Sequence, residues 1–192
     1  MSPVLAFSVI WIGWLVSWLA AALWASRAAK RPPARDELIY RSLTVLGALL
    51  IFWRFGRDDA FWRLWTTLPT LAWLLFAAAA AGLAFTWWAR LHLGTLWSGN
   101  VTRKADHRII DTGPYGLVRH PIYTGLMAAL YATALYDGTV FALIGALVLT
   151  VAFYLKARLE ERFLSDELGT ENYGQYKRRM PMLVPFWPIS RA

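Results

Sequence analysis

Residues 113–125 combine turn formers, a cation, an imidazole and two phenols in the sequence Gly-Pro-Tyr-Gly-Leu-Val-Arg-His-Pro-Ile-Tyr-Thr-Gly. This stretch leads directly into an apolar run of membrane-helix character. Ionisable groups packed beside such a run are costly in free energy, and proteins that keep them generally use them. The stretch is therefore the first candidate for a functional site.

Arg119 and His120 precede Pro121, a residue that suits the first turn of a helix because its missing N–H costs nothing there. Cations at a helix N-terminus oppose the helix dipole by a few tenths to about 1 kcal/mol. The sequence thus predicts a compensating anion. Two interpretations stay open: a lipid phosphate or neighbouring Asp or Glu, and the carboxylate of a bound ligand.

A second polar group lies further along the chain, at Lys156, Arg158, Glu160, Glu161 and Arg162. On a helix these side chains form ordinary ion pairs three and four residues apart, each contributing a few tenths of a kcal/mol. A solvated helix face would look the same. The alternative is a site that this group shares with the Arg-His stretch.

Metal chemistry is not predicted from these residues. His92, His107 and His120 have no spacing of four residues, and the chain has no cysteine that could join them. The absence of cysteine also excludes disulfides and a thiolate nucleophile. Gly113, Gly116 and Gly125 permit a close backbone approach to another group.

Composition sets the fold class that must position these residues. Of 192 residues, 58% are hydrophobic, 12 are Trp and 12 are acidic, and the net charge is +8. Soluble domains of this size do not need so much apolar surface. We predict an all-α polytopic membrane protein with a single domain over residues 1–192. The basic residues are expected on the cytoplasmic face, and no nucleic-acid partner is predicted.

Hydrophobic runs predict about five transmembrane helices, at residues 4–25, 38–55, 68–89, 122–136 and 139–155. The first is expected to be a retained span rather than a signal peptide. Asp137-Gly138 predicts a tight hairpin between the fourth and fifth helices. The fourth would be about 22 Å long, which is short for a bilayer core of about 30 Å. The fifth is expected to continue to Leu168, with Gly169 as its stop, and the tail at 173–188 to fold back at the interface.

Basic residues also predict the orientation. With five spans, seventeen of the 20 Lys and Arg residues fall on the side that holds the first and third loops and the C-terminus. The positive-inside rule then puts the N-terminus outside and the C-terminus in the cytoplasm. Together with the short chain, this predicts an integral protein of a prokaryotic inner (plasma) membrane.

The joint pattern resembles a known family. Arg119-His120-Pro121-x-Tyr123-x-Gly125, followed by Glu160-Glu161, is similar to the arrangement in the isoprenylcysteine carboxyl methyltransferase family, whose relatives include phospholipid N-methyltransferases. The similarity runs over residues 91–186. It includes Leu93-Gly94-x-x-Trp97-Ser98, the run from His107 to Tyr115, and Arg179-Met180-Pro181 near the end.

The resemblance implies an S-adenosylmethionine-dependent methyltransferase with three N-terminal spans at 1–90, a catalytic half at 91–192 and a cofactor pocket at the cytoplasmic end of the C-terminal helices. The implied cofactor contacts are Asn100, His107, Arg108, Ile109, Ile110, Tyr115, His120, Pro121, Ile122, Tyr123 and Glu160, to which the charge argument adds Arg119. The implied substrate-contacting cation is Lys156, with Arg158 as the near alternative.

Methyl transfer by in-line displacement needs alignment and exclusion of water more than a strong acid or base. The expected acceptor is lipophilic: the carboxylate of an isoprenylcysteine-like molecule, or an amine or thiol of a lipid. A carboxylate needs no general base. An amine or thiol would lose a proton, for which His120 and Glu161 are the catalytic candidates.

Two other functions remain open on the sequence. A sterol-type membrane reductase using NADPH would recruit Arg103, Lys104 and Arg108 for the 2′-phosphate, although the Glu160-Glu161 pair fits it less well. A non-enzymatic carrier or scaffold would place polar residues inside the spans at mid-bilayer depth, and the spans have almost none.

Overall fold

A computed structural model describes residues 1–23, 33–53, 55, 61–97, 110–168 and 170–186. Across these ranges the chain is all-α, as predicted, with no strand beyond an isolated bridge between Arg63 and Thr139. The helices are α1 (Pro3–Ala22), α2 (Ala34–Phe52), α3 (Pro69–Leu93), α4 (Pro121–Asp137), α5 (Val140–Leu168) and α6 (Thr170–Arg179). Short 3₁₀ turns lie at Gly94–Leu96 and Gly113–Gly116.

Three helices are long and apolar enough to cross a membrane by length and composition: α1, α3 and the Val140–Asp166 part of α5. Large apolar side chains of α1, such as Ile12 and Val16, are exposed, as expected of a surface that faces lipid. The chain is thus an integral membrane protein in character. The other two predicted spans correspond to α2, which carries Asp36, Glu37 and Arg41 near its start, and to α4. Five spans therefore stay a prediction.

Helix boundaries differ from the predicted ones at several ends. The second helix begins at Ala34 rather than residue 38, because Asp36 and Glu37 in its first turn suit the positive end of the helix dipole. The third continues to Leu93 before Gly94 ends it. α5 runs unbroken through residues 156–168, as expected, and Gly169 itself lies outside the described residues. The helix α6 was not predicted.

Glycines allow the helices to pack in two close pairs. A Cβ placed on Gly82 of α3 would lie 2.7 Å from the carbonyl oxygen of Gly125 in α4. A Cβ on Gly47 of α2 would lie 2.9 Å from the carbonyl oxygen of Gly145 in α5. Backbones approach this closely only when small residues face each other. Gly125 therefore serves the contact between α3 and α4.

α1 packs through its aromatic residues. The indole N–H of Trp14 donates to Thr86 Oγ1 of α3 at 2.8 Å, and that of Trp11 donates to Thr133 Oγ1 of α4 at 2.9 Å. Phe7 is fully buried and stacks on Tyr136 with ring centroids 4.5 Å apart. Indole and hydroxyl groups in these apolar contacts satisfy each other, so the polar atoms are not left unpaired.

The connection between α4 and α5 consists of Gly138 and Thr139. Gly138 adopts a left-handed conformation, with φ of 68°, that glycine reaches without strain. Main-chain bonds join this connection to the segment before α3: Leu64 N donates to Gly138 O at 2.8 Å, and Val140 N donates to Trp62 O at 3.1 Å. The segment before α3 thus lies against the α4–α5 connection, at the end of the molecule opposite the start of α4.

Candidate functional site

The beginning of α4 meets the C-terminal part of α5 and the segment after α6. Main-chain N–H groups of Arg119 and His120 donate to the carbonyl oxygens of Pro181 (2.9 Å) and Met182 (3.1 Å). The Thr124 hydroxyl donates to Leu183 O at 2.6 Å. The expected return of the tail is therefore found at residues 181–183, where it holds the Arg-His stretch in place.

His120 lies between two carboxylates. Its Nδ1 is 3.4 Å from Glu160 Oε2, and its Nε2 is 3.2 Å from Glu161 Oε1. Burial by itself lowers the pKa of His120, but the two carboxylates outweigh it, so its pKa lies above the ordinary value. The charged imidazolium is favoured. A group that already holds its proton is poorly suited to be a general base.

Glu161 is the anion that compensates Arg119. The Arg119 Nε donates to Glu161 Oε1 at 2.7 Å, and its Nη1 donates to the carbonyl oxygens of Lys177 and Met180. The Lys177 ammonium lies 3.3 Å from Glu161 Oε2. With its side chain 2% exposed, Glu161 is an internal counter-ion for three cations. Of the two interpretations of Arg119, the neighbouring carboxylate is therefore the one observed.

Glu160 is the more accessible carboxylate of the pair, with 20% of its side chain exposed. Its Oε1 accepts from the Tyr123 hydroxyl at 2.8 Å. The Tyr123 ring stacks between His120, at 5.5 Å, and Phe153, at 5.4 Å. The Lys156 ammonium lies 5.4 Å from the centroid of the same ring. The solvated-face interpretation of Glu160 and Glu161 is consequently wrong, because both carboxylates turn towards the start of α4.

Tyr115 links this cluster to the end of α3. Its carbonyl oxygen accepts from the Tyr176 hydroxyl at 2.8 Å, and its ring lies 6.4 Å from that of His92. Burial, and then the negative charge of Glu160, raise the pKa of the Tyr115 phenol well above its ordinary range, so the phenol stays neutral. Gly113 lies against the imidazole of His92, where a Cβ would come within 2.8 Å.

Arg90, in the last turn of α3, is fully buried. Its guanidinium lies 3.6 Å from the centroid of the Trp97 ring, and one of its N–H groups donates to the carbonyl oxygen of Ala21. Its Nε and Nη1 have no hydrogen-bond partner in the described part of the chain. Buried charges are normally paired, so the unsatisfied Nε and Nη1 of Arg90 would suit an anionic group.

The remaining predicted site residues fall in three places. Pro121 and Ile122 form the first turn of α4, and Ile110 lies just before the Gly113–Gly116 turn. Arg158 is exposed, and its guanidinium donates to the Tyr154 hydroxyl. It lies two residues after Lys156, and residues two positions apart on a helix point to nearly opposite sides. Lys156 is thus the cation that reaches the cluster. Predicted contacts at Asn100, His107, Arg108 and Ile109 lie outside the described residues.

Sequence reasoning missed Arg90, Glu37 and Tyr40. Arg90 directly follows the predicted third span at 68–89, and a basic residue at the interfacial end of a span needs no further explanation. Glu37, Tyr40 and Arg41 are three and four residues apart in the first turns of α2, which places them on one face of the helix. This spacing is the sequence signal that could have identified them as a polar cluster. Nothing in the sequence indicates that this face meets Lys156.

Known proteins are similar to this chain in the part that contains the residues of the candidate site. Residues 73–166 match the model of the isoprenylcysteine carboxyl methyltransferase family. Methanethiol S-methyltransferase 1 of Bradyrhizobium diazoefficiens is 29% identical over 181 residues, which cover 85% of this chain and 58% of that protein. Protein-S-isoprenylcysteine O-methyltransferase of Schizosaccharomyces pombe is 34% identical over 87 residues, which cover 45% of this chain and 36% of that protein.

A further relative, methanethiol S-methyltransferase of Pseudomonas sp. (strain GM41(2012)), is 44% identical over 71 residues, which cover 37% of this chain and 26% of that protein. The chain thus spans about three fifths of the length of methanethiol S-methyltransferases 1 and 2 of Bradyrhizobium diazoefficiens. The matched family stretch contains α4 and the Glu160-Glu161 pair, whose side chains meet around His120. Over residues 73–166, the chain is therefore similar to the isoprenylcysteine carboxyl methyltransferase family.

Proposed function

We propose that this chain is an integral-membrane methyltransferase that moves a methyl group from S-adenosylmethionine to a lipophilic acceptor. The observation that carries the proposal is the meeting of His120, Tyr123 and Glu160 in one buried cluster. These residues are the ones on which the family resemblance rests. The names of the matched relatives describe methyl transfer to methanethiol and to protein isoprenylcysteine.

The residues present fit the cofactor. S-adenosylmethionine carries an ammonium, a carboxylate, a ribose and an adenine, and when bound it supplies an electrophilic methyl group on a positively charged sulfur. Glu160, accessible on one side, suits the ammonium or the ribose hydroxyls. The main-chain N–H groups of Ile122 and Tyr123, in the first turn of α4, suit the carboxylate. Arg119 is better described as a support for this turn than as a ligand-binding cation.

The acceptor would bring a negative charge. Arg90 offers two buried N–H groups without a partner in the described ranges, and Trp97 covers its guanidinium. A carboxylate or a thiolate fits such a site, because it satisfies the N–H groups and the charge together. A lipophilic tail on the acceptor would lie among the membrane helices. We therefore propose a lipid, or a lipid-modified or small lipophilic molecule, as the partner.

Proton transfer has a small part in this proposal. A carboxylate acceptor is already ionised. A thiol must lose its proton, but the two neighbouring carboxylates raise the pKa of His120 and favour its imidazolium, and Glu161 is enclosed by Arg119, His120 and Lys177. The groups at this site bind, orient and exclude water, which is most of what an in-line displacement requires.

We also propose that α1 to α5 all cross the membrane, with α4 and α5 as a hairpin, in the inner membrane of a prokaryote. The site gathers the start of α2, the end of α3, the start of α4 and the end of α5. A five-span topology puts these four ends on one side, with the N-terminus outside and the C-terminus in the cytoplasm. The same topology puts the α2–α3 and α4–α5 connections together on the opposite side of the membrane. The main-chain bonds of Trp62 and Leu64 with the α4–α5 connection support this placement.

The test uses the full chain purified into lipid nanodiscs with S-adenosylmethionine and three acceptors: an S-farnesylcysteine carboxylic acid, 1-dodecanethiol and phosphatidylethanolamine. Mass spectrometry should detect methylation of the acid or the thiol. Calorimetry should show cofactor binding in the micromolar range, weakened about ten-fold by Glu160→Gln and unchanged by Asp166→Asn on the exposed side of α5. Absence of binding would refute the methyltransferase, and tight binding of NADPH instead would favour the reductase.

A further inference from the structure

The environment of Lys156 contains two residues of α2, a helix outside the family-matched stretch of residues 73–166. We propose that Glu37 and Tyr40 are positioning residues of the site, which hold the Lys156 ammonium in place for binding the acceptor. The inference rests on the proposed function and deepens it, because it makes α2 a determinant of acceptor binding.

Two aromatic rings flank the Lys156 ammonium. Its Nζ lies 5.7 Å from the ring centroid of Tyr40 in α2 and 5.4 Å from that of Tyr123 in α4. Ammonium groups within about 6 Å of a ring face are attracted by the ring quadrupole. A flexible lysine side chain placed between two such rings loses much of its freedom, so α2 and α4 together fix where its charge lies.

Glu37 adds a buried negative charge from the same side. Glu37 and Tyr40 are each 5% exposed, and the Tyr40 hydroxyl donates to Glu37 Oε1 at 2.8 Å. The Arg41 Nη2 donates to Glu37 Oε2 at 2.5 Å. The charges of Glu160 and Glu37 attract the Lys156 ammonium, and the charge of Arg41 repels it less strongly. The carboxylate of Glu37 therefore orients the Tyr40 ring through its hydroxyl and attracts Lys156 directly.

Close packing of α2 on α5 places Tyr40 beside Lys156. Gly47 and Gly145 face each other, and a Cβ on either would lie within 3 Å of the other's carbonyl oxygen. Tyr40 lies seven residues before Gly47 in α2, which is about 10 Å along that helix. Lys156 lies eleven residues after Gly145 in α5, which is about 16 Å along that helix. Side chains lean towards the N-terminus of their own helix, so Lys156 leans back along α5 to meet Tyr40.

The test is a double-mutant cycle in methyl transfer, with the better of the two acceptors, the S-farnesylcysteine acid and 1-dodecanethiol, at saturating S-adenosylmethionine. Glu37→Gln should raise the acceptor KM about ten-fold with little change in kcat, and Tyr40→Phe should raise it about three-fold. Asp36→Asn, the neighbouring carboxylate on α2 with 43% of its side chain exposed, is the matched control and should leave KM unchanged. The Glu37→Gln/Lys156→Met double variant should be no worse than Lys156→Met alone, since Glu37 acts through Lys156.

Two results would overturn the inference: a Glu37→Gln variant that matches Asp36→Asn, or additive effects in the double variant. If the wild-type chain methylates neither acceptor, the proposed function fails for these acceptors and the cycle is measured on the free energy of unfolding instead. Additivity of Glu37→Gln and Lys156→Met there would overturn the coupling itself.

Discussion

At the scale of single residues, the site is a set of opposite charges that satisfy one another. Glu161 faces Arg119, His120 and Lys177, and Glu160 faces His120 and accepts from Tyr123. Such a cluster is stable only when every charge has a partner, since a buried charge left alone costs several kcal/mol. The polar groups therefore support the structure as much as they prepare a binding site.

Removing the central anion should be strongly destabilising. Glu161→Gln leaves the Arg119 guanidinium, 9% exposed, without its counter-charge, and we expect a loss of about 3–5 kcal/mol in the free energy of unfolding. Chemical denaturation in detergent micelles measures it. Asp166→Asn, which removes an exposed carboxylate on the same helix, should change stability by less than about 0.5 kcal/mol. A similar small effect from Glu161→Gln would contradict the assignment.

His120 predicts how stability depends on pH. Its pKa is higher in the folded chain than in the unfolded one, where it is about 6.5, because two carboxylates favour the imidazolium. The contribution of His120 to the free energy of unfolding is complete below about pH 6.5 and is lost as the pH rises through the pKa of His120 in the folded chain. In denaturation curves, the stability difference between wild type and His120→Gln should therefore shrink as the pH rises from about 6.5 through the raised pKa of His120. A difference that grows with pH would show the opposite charge state.

At the scale of helices, glycine contacts decide how the site is assembled. α3 meets α4 at Gly82 and Gly125, and α2 meets α5 at Gly47 and Gly145. The two crossings bring the end of α3 and the start of α2 alongside the start of α4 and the end of α5. A shift at the α2–α5 crossing would displace Tyr40 from the Lys156 ammonium, and a shift at the α3–α4 crossing would displace His92 from Tyr115.

A methyl group added at the α3–α4 crossing should separate the two helices. A Cβ on Gly125 would lie 2.6 Å from the carbonyl oxygen of Gly82 and 2.8 Å from Thr86 Cγ2. Gly125→Ala is therefore expected to cost about 1–3 kcal/mol in the free energy of unfolding, despite the better helix propensity of alanine. Gly13→Ala is the control, because a Cβ there meets nothing within 4 Å, and it should be neutral or stabilising by up to about 1 kcal/mol. Equal effects of the two changes would argue against the crossing.

At the scale of the whole molecule, the charged residues of the candidate site gather at one end of an apolar bundle. The other end carries the contact of Trp62 and Leu64 with the α4–α5 connection. An enzyme built this way would receive a water-soluble cofactor at the polar end and a lipophilic acceptor from between the helices. The two ends should then lie on opposite sides of the membrane.

Single-cysteine labelling tests that arrangement, because the chain has no cysteine of its own. Thr66→Cys and Arg178→Cys introduce thiols at exposed positions before α3 and in α6. In intact cells, a membrane-impermeant maleimide should label Thr66→Cys and should reach Arg178→Cys only after permeabilisation. Reversed labelling would invert the proposed orientation, and labelling of both from one side would contradict five spans.

The sequence by itself determined the fold class, the approximate helices and the family resemblance, because each depends on local information. Apolar runs of bilayer length predict membrane helices wherever they fold, and the spacing of Arg119, His120, Tyr123 and Glu160 is a property of the chain. The charge argument at the start of α4 also predicted that an anion must be near, although it left open which one.

Only the tertiary structure decided which charges meet. Arg119 is balanced by Glu161, 42 residues away in the sequence, and Lys156 is flanked by Tyr40 from a helix outside the family-matched stretch. Arg90, which directly follows the predicted third span, is buried, and its Nε and Nη1 have no partner in the described structure. These pairings depend on the register between helices. Register is set by contacts such as those of Gly47 and Gly125, and no local pattern encodes which glycines will face each other.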